Sequence, residues 1–366
     1  MTMSLRALNR ATLDRQLLLS RSSMQVLDAI EHLVGLQSQT THSWYHGLWS
    51  RLESFSAPEL SGLLANRAVV RMVLMRSTIH LVTAKDALAL RPLVDIVIER
   101  SMSGNFGKNI AGLPRADLIA AGREILDAEP MMFSQLGRRM AERWPSRDPG
   151  SLAQAVRAFV PLVQIPPRGL WGRSGQALHS TVETWLGSPV TSSPSVESLV
   201  LRYLGAFGPA SVRDAQIWSG LTRLAEVFDR LRPRLVTFTD ENGRELFDLP
   251  DAPRPAQDTP APPRFLYDFD NLLLSHQDRS RVVTESYRSQ KFDADGIMPK
   301  ILLLDGFTAA HWTVAKTKKE AVLTVHPFRK LLKKEIAGLT EEGADLLRFH
   351  APDSASHDIR VAEQVR

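Results

Sequence analysis

The stretch Val196–Leu249, VESLVLRYLGAFGPASVRDAQIWSGLTRLAEVFDRLRPRLVTFTDENGRELFDL, decides the fold class. Apolar residues at helical spacing predict three short helices, which cover Val196–Gly205, Ser211–Ser219 and Thr222–Leu231. Two short strands are predicted next, Leu235–Thr239 and Arg244–Leu249, around an Asn-Gly pair that is typical of tight hairpins. Three helices followed by a β-hairpin are the elements of a winged helix.

The same order of elements occurs twice earlier in the chain. In the first copy, helices near Met24, Trp44 and Ser56 precede the predicted strands Val69–Met75 and Thr78–Val82. In the second copy, a strand at Val163–Ile165 and a glycine-rich turn follow three helices, predicted at Leu118–Leu126, Ser134–Trp144 and Pro149–Val160. The sequence therefore predicts an α+β fold with three tandem winged-helix units, in residues 1–85, 86–190 and 191–250.

A proline-rich segment separates these units from a different C-terminal region. Residues 251–263 are predicted to be an extended linker, because the six prolines from Pro250 to Pro263 are incompatible with helices and with strand ladders. Beyond it, residues 264–366 are predicted to form a β-rich domain with a terminal helix at Phe328–Phe349. Its expected strands are Phe265–Leu274, Lys300–Leu304, Ala309–Lys316 and Ala321–His326.

Composition excludes several classes of protein. The 366 residues contain no cysteine, which removes disulfide scaffolds, zinc fingers and thiolate catalysis. No apolar run approaches the ~20 residues of a membrane span and no export signal is evident, so we expect a cytoplasmic protein without a membrane partner. The net charge is +5, and most of the 45 basic residues are arginine. Arginine suits phosphates and base edges, but a GC-rich genome produces the same excess, so charge alone permits nucleic-acid binding without requiring it.

Known catalytic motifs are absent from the sequence. The ten histidines show no His-Glu-x-x-His or other ligand spacing, so we expect no metal. There is no Walker loop, no Gly-x-Gly-x-x-Gly before a helix and no Gly-x-Ser-x-Gly turn. These absences argue against nucleotide hydrolysis, dinucleotide redox chemistry and α/β-hydrolase chemistry, and we expect no cofactor.

The segment Gly35-Leu-Gln-Ser-Gln39 is the candidate catalytic site. Gly35 is expected to end a helix, so Gln37 and Gln39 are expected in a non-helical or helix-start segment. In extended chain, two residues that are two apart point to the same side, so both amides could face one cavity. They could then hold and aim one water, since each amide has an acceptor and a donor. A glutamine cannot act as a general base at neutral pH. On spacing alone, two polar loop residues that bond nearby backbone are the better explanation of the pattern.

Other polar and aromatic residues have simpler explanations. Trp44, Tyr45, His46 and Trp49 have the spacing of a buried helix face, and His80 is expected to be a hydrogen-bonded core residue. Five basic residues in predicted turns are candidate DNA contacts, although solvated turns would carry the same residues. They are Arg168, Arg173, Lys316, Lys318 and Lys319.

Four motifs spread along the chain together resemble those of the AlkZ-type DNA glycosylases, tandem winged-helix enzymes that unhook DNA interstrand crosslinks. The motifs are Leu36–Gln39, Arg76–Val82, Pro166–Gly172 and Phe269–Ser275. The resemblance implies three winged helices around a concave DNA face, a C-terminal β-barrel-like domain and a monomer acting on double-stranded DNA.

The resemblance also implies a reaction. The family carries a Gln-x-Gln or Gln-x-Asp catalytic motif, which Gln37 and Gln39 match, and glutamine at position 39 places the chain in the narrower azinomycin branch. The residue between them is usually hydrophobic, whereas Ser38 is polar. The implied activity is hydrolysis of the glycosidic bond of N7-alkylated purines, with unhooking of azinomycin B crosslinks as antibiotic self-resistance.

Two alternatives stay open at this stage. A winged-helix transcriptional regulator would bind an operator without catalysis, usually as a symmetric dimer. A non-catalytic resistance protein would bind the DNA or the drug itself. Neither alternative requires the two glutamines, so their substitution discriminates among the three hypotheses.

Overall fold

The computed structural model describes residues 1–290, 292 and 298–363. Within these residues the chain forms an α+β fold with three sheets, of three, six and five strands. The predicted fold class is therefore confirmed at the level of α+β.

The chain begins with a short strand, β1 (Thr2–Met3), and a buried helix, α1 (Leu5–Arg15). The Ser4 hydroxyl caps this helix by accepting a hydrogen bond from the Ala7 N–H at 3.1 Å. Arg15 is buried and forms a bidentate pair with the buried carboxylate of Asp248, at 2.6 and 2.9 Å. Helix α1 is thereby fixed to a strand more than two hundred residues away.

The order helix, strand, helix, helix, strand, strand then occurs twice, and a third set follows it closely. The first set consists of α2 (Val26–His32), β2 (Leu36–Gln37), α3 (Ser43–Trp49), α4 (Ala57–Ala65), β3 (Val69–Val73) and β4 (Ile79–Thr83). A long helix follows, α5 (Ala84–Phe106). The second set consists of α6 (Arg115–Ala128), β5 (Met131–Met132), α7 (Phe133–Arg143), α8 (Pro149–Phe159), β6 (Leu162–Ile165) and β7 (Leu178–Thr181), and α9 (Val182–Leu186) follows it.

The third set has a single bridge in place of its first strand. It consists of α10 (Val196–Phe207), α11 (Val212–Ser219), α12 (Ala225–Leu231), β8 (Val236–Asp240) and β9 (Glu245–Asp248). Ala210 pairs with Phe247 where the short strand stands in the other sets. Ser211 and Asp214 form a reciprocal capping box that starts α11. The helices and the hairpin predicted for this stretch are confirmed.

The hairpins of the first two sets belong to one sheet. Its strand order is β2-β4-β3-β6-β7-β5, and the two hairpins meet where β3 pairs antiparallel with β6. Arg71 lies opposite Gln164 and Met72 opposite Val163 at this junction. Side chains alternate between the two faces of the sheet, so Met72 and Val163 share a core with α5. Leu81, one residue from His80 on β4, faces the opposite side and packs with the aromatic residues of α3.

The proline-rich segment is without helix or strand, as predicted, but it is tied down along its length. Its backbone carbonyls accept hydrogen bonds from three arginines of α1, which are listed here with their partners: Arg6 with Gln257 at 2.8 Å, Arg10 with Thr259 at 2.6 Å and Arg15 with Pro253 at 3.1 Å. The backbone carbonyls of an extended segment have no partners within a helix or a sheet, and here the arginines donate the missing hydrogen bonds.

The C-terminal region is an open sheet covered by a helix. Its elements are β10 (Arg264–Phe265), α13 (Glu285–Arg288), β11 (Ile301–Leu304), β12 (Phe307–Lys316), β13 (Glu320–Pro327), α14 (Lys333–His350) and β14 (Ser356–Val361). The strands follow the order β10-β11-β12-β13-β14, and β10 and β14 do not pair among the described residues. Helix α14 contacts both of these edge strands and β13, so it covers one face of a half-barrel. The barrel-like domain implied by the resemblance thus has the form of a half-barrel.

One predicted strand is wrong beyond its first residue. Phe265–Leu274 was expected to be extended, but the strand ends at Phe265 and a 3-10 turn occupies Asn271–Leu273. Phe269 has a positive φ of 55°, and the carboxylate of Asp270 accepts a hydrogen bond from the Leu272 N–H at 3.0 Å. This side-chain turn replaces a strand ladder.

Candidate active site

The extended course of the Gln37–Gln39 segment follows from the glycine that precedes it. Gly35 has a φ of +84°, and its N–H donates to Ile30 O at 2.9 Å, which ends the turn after α2. A Cβ at this position would lie 2.5 Å from Val82 Cγ1 and 2.8 Å from Leu81 O. Glycine therefore allows the chain to enter the sheet beside β4, where Gln37 lies opposite His80. Of the two conformations that the sequence left open for this segment, the structure has the non-helical one.

The Gln37 side chain is recessed and held in one orientation. Only 4% of the residue is exposed, and its Oε1 accepts a hydrogen bond from Arg76 Nη2 at 2.7 Å. A guanidinium only donates, so the amide oxygen must face Arg76 and the amide nitrogen must point away from it. Among the described residues only the Gln37 Oε1 has a side-chain hydrogen-bond partner, so the Nε2 remains available as a donor.

The Gln39 side chain lies on the surface and is held weakly. Its Oε1 accepts from the Ile79 N–H at 3.4 Å, which is long for a hydrogen bond of this type. The neighbouring Ser38 N–H donates to Ile79 O at 2.7 Å and keeps the segment extended. The two amides thus differ, because Gln37 is fixed and recessed whereas Gln39 is exposed and adaptable.

A residue from the C-terminal region clamps the backbone of this segment. Asn271 is buried; its Nδ2 donates to Gly35 O at 2.7 Å, and its Oδ1 accepts from the Gln37 N–H at 3.3 Å. The adjacent Asp270 forms a fully buried bidentate pair with Arg51, at 2.7 and 3.0 Å. The position of Gln37 therefore depends on residues from both ends of the chain.

Sequence reasoning gave no role to Asn271 or Arg76, although both lie in motifs that carried the resemblance. Arg76 and Ser77 form the tight turn of the β3–β4 hairpin, with left-handed φ values of 56° and 58°. Such conformations are uncommon for residues with a Cβ, and they often occur at functional sites. Positive φ cannot be read from an Arg-Ser pair, so the sequence offered no signal beyond the motif itself.

Two arginines without carboxylate partners, the buried Arg71 and the half-buried Arg76, flank the glutamine segment. Arg71 Nη2 donates to Ser38 O at 2.7 Å, and its guanidinium lies 4.3 Å from the centre of the Trp44 ring. Arg76 also donates to Trp218 O at 2.6 Å. Burial lowers the pKa of Arg71 to about 9 and that of Arg76 to about 10. Since neither makes an ion pair within the described part of the chain, the region carries uncompensated positive charge.

His80 is neutral and belongs to the core, as the sequence predicted. Burial, with a smaller contribution from the Arg76 charge, lowers the pKa of His80 to about 3. Its Nδ1 lies 3.0 Å from Thr78 O, and because a carbonyl only accepts, the proton must be on Nδ1. The neutral imidazole can therefore act towards other groups only as a hydrogen-bond acceptor, through Nε2.

A cavity of about 710 Å³ opens beside the residue that follows Gln39. It lies between four separate parts of the chain: Thr40–Ser43, the β6–β7 loop at Trp171 and Gly172, the β12–β13 hairpin at Lys316–Lys318, and the end of α14 at His350–Ser354. His46 and Lys300 complete its lining. We call this cavity the lysine cleft. Gln37 and Gln39 do not line it, so the expectation that both amides face one cavity does not apply to this one.

The five basic candidates lie in two loops that both reach the lysine cleft. Lys316 and Lys318 line it, whereas Lys319 is exposed on the same hairpin outside the lining. Arg173 is exposed on the β6–β7 loop. Arg168 is half-buried and donates to Gly175 O at 3.1 Å within that loop. The structure thus places both basic loops at one edge of the molecule, near the glutamine segment.

The aromatic residues of α3 form core, as predicted. Trp44, Tyr45 and His46 are buried, and Trp49 is 9% exposed. Tyr45 also fixes the β6–β7 loop, because its hydroxyl donates to Gly169 O at 2.8 Å and its ring centre lies 4.9 Å from that of Trp171. This packing gives the loop a defined position beside the lysine cleft.

Two further features bear on the kind of site. Across residues 1–290, 292 and 298–363, no group of three or more histidine, aspartate or glutamate side chains could hold a metal ion. In the same residues, every helix is too short or too polar to cross a bilayer.

The fold is shared with an enzyme class that removes bases from DNA. The Streptomyces sahachiroi DNA glycosylase AlkZ superposes with a TM-score of 0.80 at 20% identity, over 99% of this chain and 100% of that one. A model of the AlkZ-like DNA glycosylases matches residues 30–349. The chain belongs to the AlkZ-like family and is a DNA glycosylase, which confirms the resemblance carried by the four motifs. A search of curated proteins found no match.

Proposed function

We propose that this DNA glycosylase hydrolyses the glycosidic bond of N7-alkylated purines and unhooks interstrand crosslinks of the azinomycin B type, which gives resistance to that antibiotic. The observation that carries the proposal is the extended segment with Gln37 fixed by Arg76 and Gln39 exposed beside it. Two amides that are two residues apart in a non-helical segment suit the positioning of a water molecule at an open surface.

The chemistry needs little more than such a water. A purine alkylated at N7 carries positive charge, and it leaves with the electron pair of the bond to C1′, which neutralises that charge. Positive oxocarbenium character develops on the sugar, as in other glycosyl transfers. A water held by Gln37 and Gln39 adds to C1′, and its proton passes to solvent. The amides contribute orientation, which accelerates a reaction by fixing the attacking atom in place.

The uncompensated arginines support DNA binding at the same place. Arg71 and Arg76 hold Ser38 O and the Gln37 amide, so they position the segment without having to touch the sugar. Their charge, with no carboxylate beside them, raises the local attraction for phosphates. Arg168, Arg173, Lys316, Lys318 and Lys319 are proposed to contact the phosphates of the bound duplex.

We further propose that the three repeated sets of elements are winged helices. Their proposed bounds are residues 1–85, 86–190 and 191–250, followed by the linker 251–263 and the C-terminal domain 264–366. A base that is covalently tied to the opposite strand cannot rotate freely into a closed pocket. The exposure of Gln39 suits an open groove, in which a cytoplasmic monomer would reach the lesion within the duplex.

The test uses a duplex with one azinomycin-type N7 interstrand crosslink and a second duplex with a single N7-methylguanine. Denaturing gels before and after alkaline cleavage report loss of the crosslink and formation of abasic sites. We expect wild type to remove the crosslink and leave alkali-labile sites, and the Gln37→Ala/Gln39→Ala variant to do neither. Gln154→Ala, which changes a half-buried glutamine on α8, is the matched control and should retain full activity.

The outcomes separate the parts of the proposal. Cleavage of the methylguanine duplex alone would retain base excision and reject the crosslink assignment. Activity that survives in the double variant would reject the role of the glutamines. A shifted native band with both lesions intact would instead point to a DNA-binding protein, and a palindromic preference in a binding selection would identify a regulator.

A further inference from the structure

The lysine cleft has the dimensions of a site for a small organic molecule. Its volume of about 710 Å³ is within the range of pockets that enclose such ligands, about 300–1,000 Å³. Its walls come from four distant parts of the chain, and hydrogen bonds hold these parts together. Lys316 Nζ donates to His350 O at 3.2 Å, and His46 Nε2 lies 2.7 Å from His350 Nδ1.

The positive charge of the lysine cleft favours an anionic ligand. Lys300, Lys316 and Lys318 line it, and Asp353 is the single carboxylate among the described lining residues. Lys300 makes no ion pair within the described part of the chain, and its ammonium lies 4.9 Å from the centre of the Trp312 ring. Lys300 is half-buried, and burial lowers its pKa more than the charge of Asp268 raises it, so its ammonium gains from an anion that enters the cleft.

The histidines of the cleft do not add to this charge. Burial lowers the pKa of His42 and His46, and it lowers the pKa of His350 to about 4, with smaller contributions from the neighbouring lysines. All three rings are therefore neutral near pH 7, so the lysines supply the positive charge, and the histidines supply planar surface.

One wall of the cleft is aromatic and fixed in position. Trp171 is half-buried, its backbone N–H donates to Ser61 Oγ at 2.9 Å, and its ring packs against Tyr45. The ring of His42 lies 6.2 Å from that of Trp171 at 71° between planes. Hydroxyl groups of Thr40, Thr41 and Ser43 are also part of the lining. Such a wall suits a flat ring with polar edges, since aromatic side chains stack on any base.

We propose that the lysine cleft binds one nucleotide unit, with its base against Trp171 and its phosphate at Lys300 and Lys316. Its source would be the DNA strand that passes the glutamine segment, because the cleft opens at Thr40, directly after Gln39. In this respect the inference rests on the proposed function. It adds a subsite that holds a nucleotide outside the base stack next to the position where the lesion is cleaved.

The inference is tested by calorimetric titration of the full chain with dGMP, deoxyguanosine and inorganic phosphate, which needs no enzymatic activity. Because the base and the phosphate each contact a different wall, dGMP should bind at least about 10-fold more tightly than either fragment. Lys300→Met and Trp171→Ala should each weaken dGMP binding by about 5-fold or more. Lys334→Met, at the exposed start of α14 and outside the cleft, should bind dGMP as wild type does.

Several results would overturn the nucleotide subsite. Equal affinity for dGMP and phosphate would leave a simple anion site, and equal affinity for dGMP and deoxyguanosine would leave an aromatic site. No saturable dGMP binding up to about 10 mM would exclude a nucleotide site of any useful affinity. Thermal denaturation of each variant shows whether it is folded. Unhooking by wild type without dGMP binding would reject this inference alone, whereas dGMP binding without glycosylase activity would reject the proposed function alone.

Discussion

Replacing Asn271 with alanine should destabilise the protein and also slow the reaction, because this side chain holds the backbone on both sides of Leu36. The substitution removes the hydrogen bonds to Gly35 O at 2.7 Å and from the Gln37 N–H at 3.3 Å. Asn271 is only 4% exposed, and Gln37 is equally buried, so water does not readily replace the lost partners.

The magnitude follows from these two groups. Each buried polar group that loses its partner costs about 1–3 kcal/mol, so the free energy of unfolding should fall by about 2–6 kcal/mol. A shift of Gln37 by about 1 Å would lower the rate of the chemical step by about 100-fold, because the water it holds would be misplaced. Affinity for DNA should be little changed, since Asn271 is buried and does not reach the surface.

Chemical denaturation and single-turnover unhooking of the crosslinked duplex measure the two effects separately. Asn105→Ala is the matched control, because Asn105 is exposed on α5 and makes one hydrogen bond, to Ser101 O. That variant should lie within about 0.5 kcal/mol of wild type. If Asn271→Ala is as stable and as fast as Asn105→Ala, the clamp does not position Gln37 and the reasoning is refuted.

Three further predictions concern stability. Gly35→Ala should lower the free energy of unfolding in a urea titration by at least about 2 kcal/mol, because the positive φ and the contacts of the new Cβ both oppose alanine. Gly112→Ala, which has a positive φ but open space around the new Cβ, should lower it by about 1 kcal/mol. Equal losses in the two variants would contradict the steric argument. Asp270→Asn should lower the free energy of unfolding by about 3–5 kcal/mol, because Arg51 then keeps a buried charge without its partner. Glu245→Gln, at an exposed ion pair, should lower it by less than about 1 kcal/mol. Similar denaturation midpoints for the two variants would argue against the importance of the buried pair. Acidification from about pH 6.5 towards pH 4 should lower the free energy of unfolding by up to about 1.4 kcal/mol per pH unit for each buried histidine. The cause is that these histidines bind protons in the unfolded chain but not in the folded chain. The folded-state pKa is lowered to about 3 or 4 at His80, His179 and His276, and a denaturation midpoint that is unchanged between about pH 7 and about pH 5 would rule out this linkage.

Local patterns in the sequence predicted the parts of the fold that depend on neighbours along the chain. The helices of the third repeated set, its hairpin and the extended segment after Gly35 were visible because helical spacing, capping residues and glycine act over a few positions. Helix α5 was not predicted. Pro92 lies within it, and a proline in a helical pattern normally argues for a break.

The contacts that complete the candidate site were not accessible to such patterns. Asn271 meets Gly35 across 236 positions of the chain, and Arg76 meets Gln37 across 39. The side chains involved are common in turns and surfaces, so nothing local distinguishes them. The strands and the terminal helix of the C-terminal region were predicted, but the half-barrel form of its sheet depends on where α14 packs, which the strand patterns do not contain.

The pairing of β3 with β6 has a consequence for how this chain can change over evolutionary time. A recombination event that exchanged one of the first two repeated sets would have to divide a continuous sheet between Arg71 and Gln164. The exposed backbone edges would then have to find new partners of matching register. New specificities are therefore expected to arise by variation in the β6–β7 and β12–β13 loops, while the pair of sets is inherited as a single block.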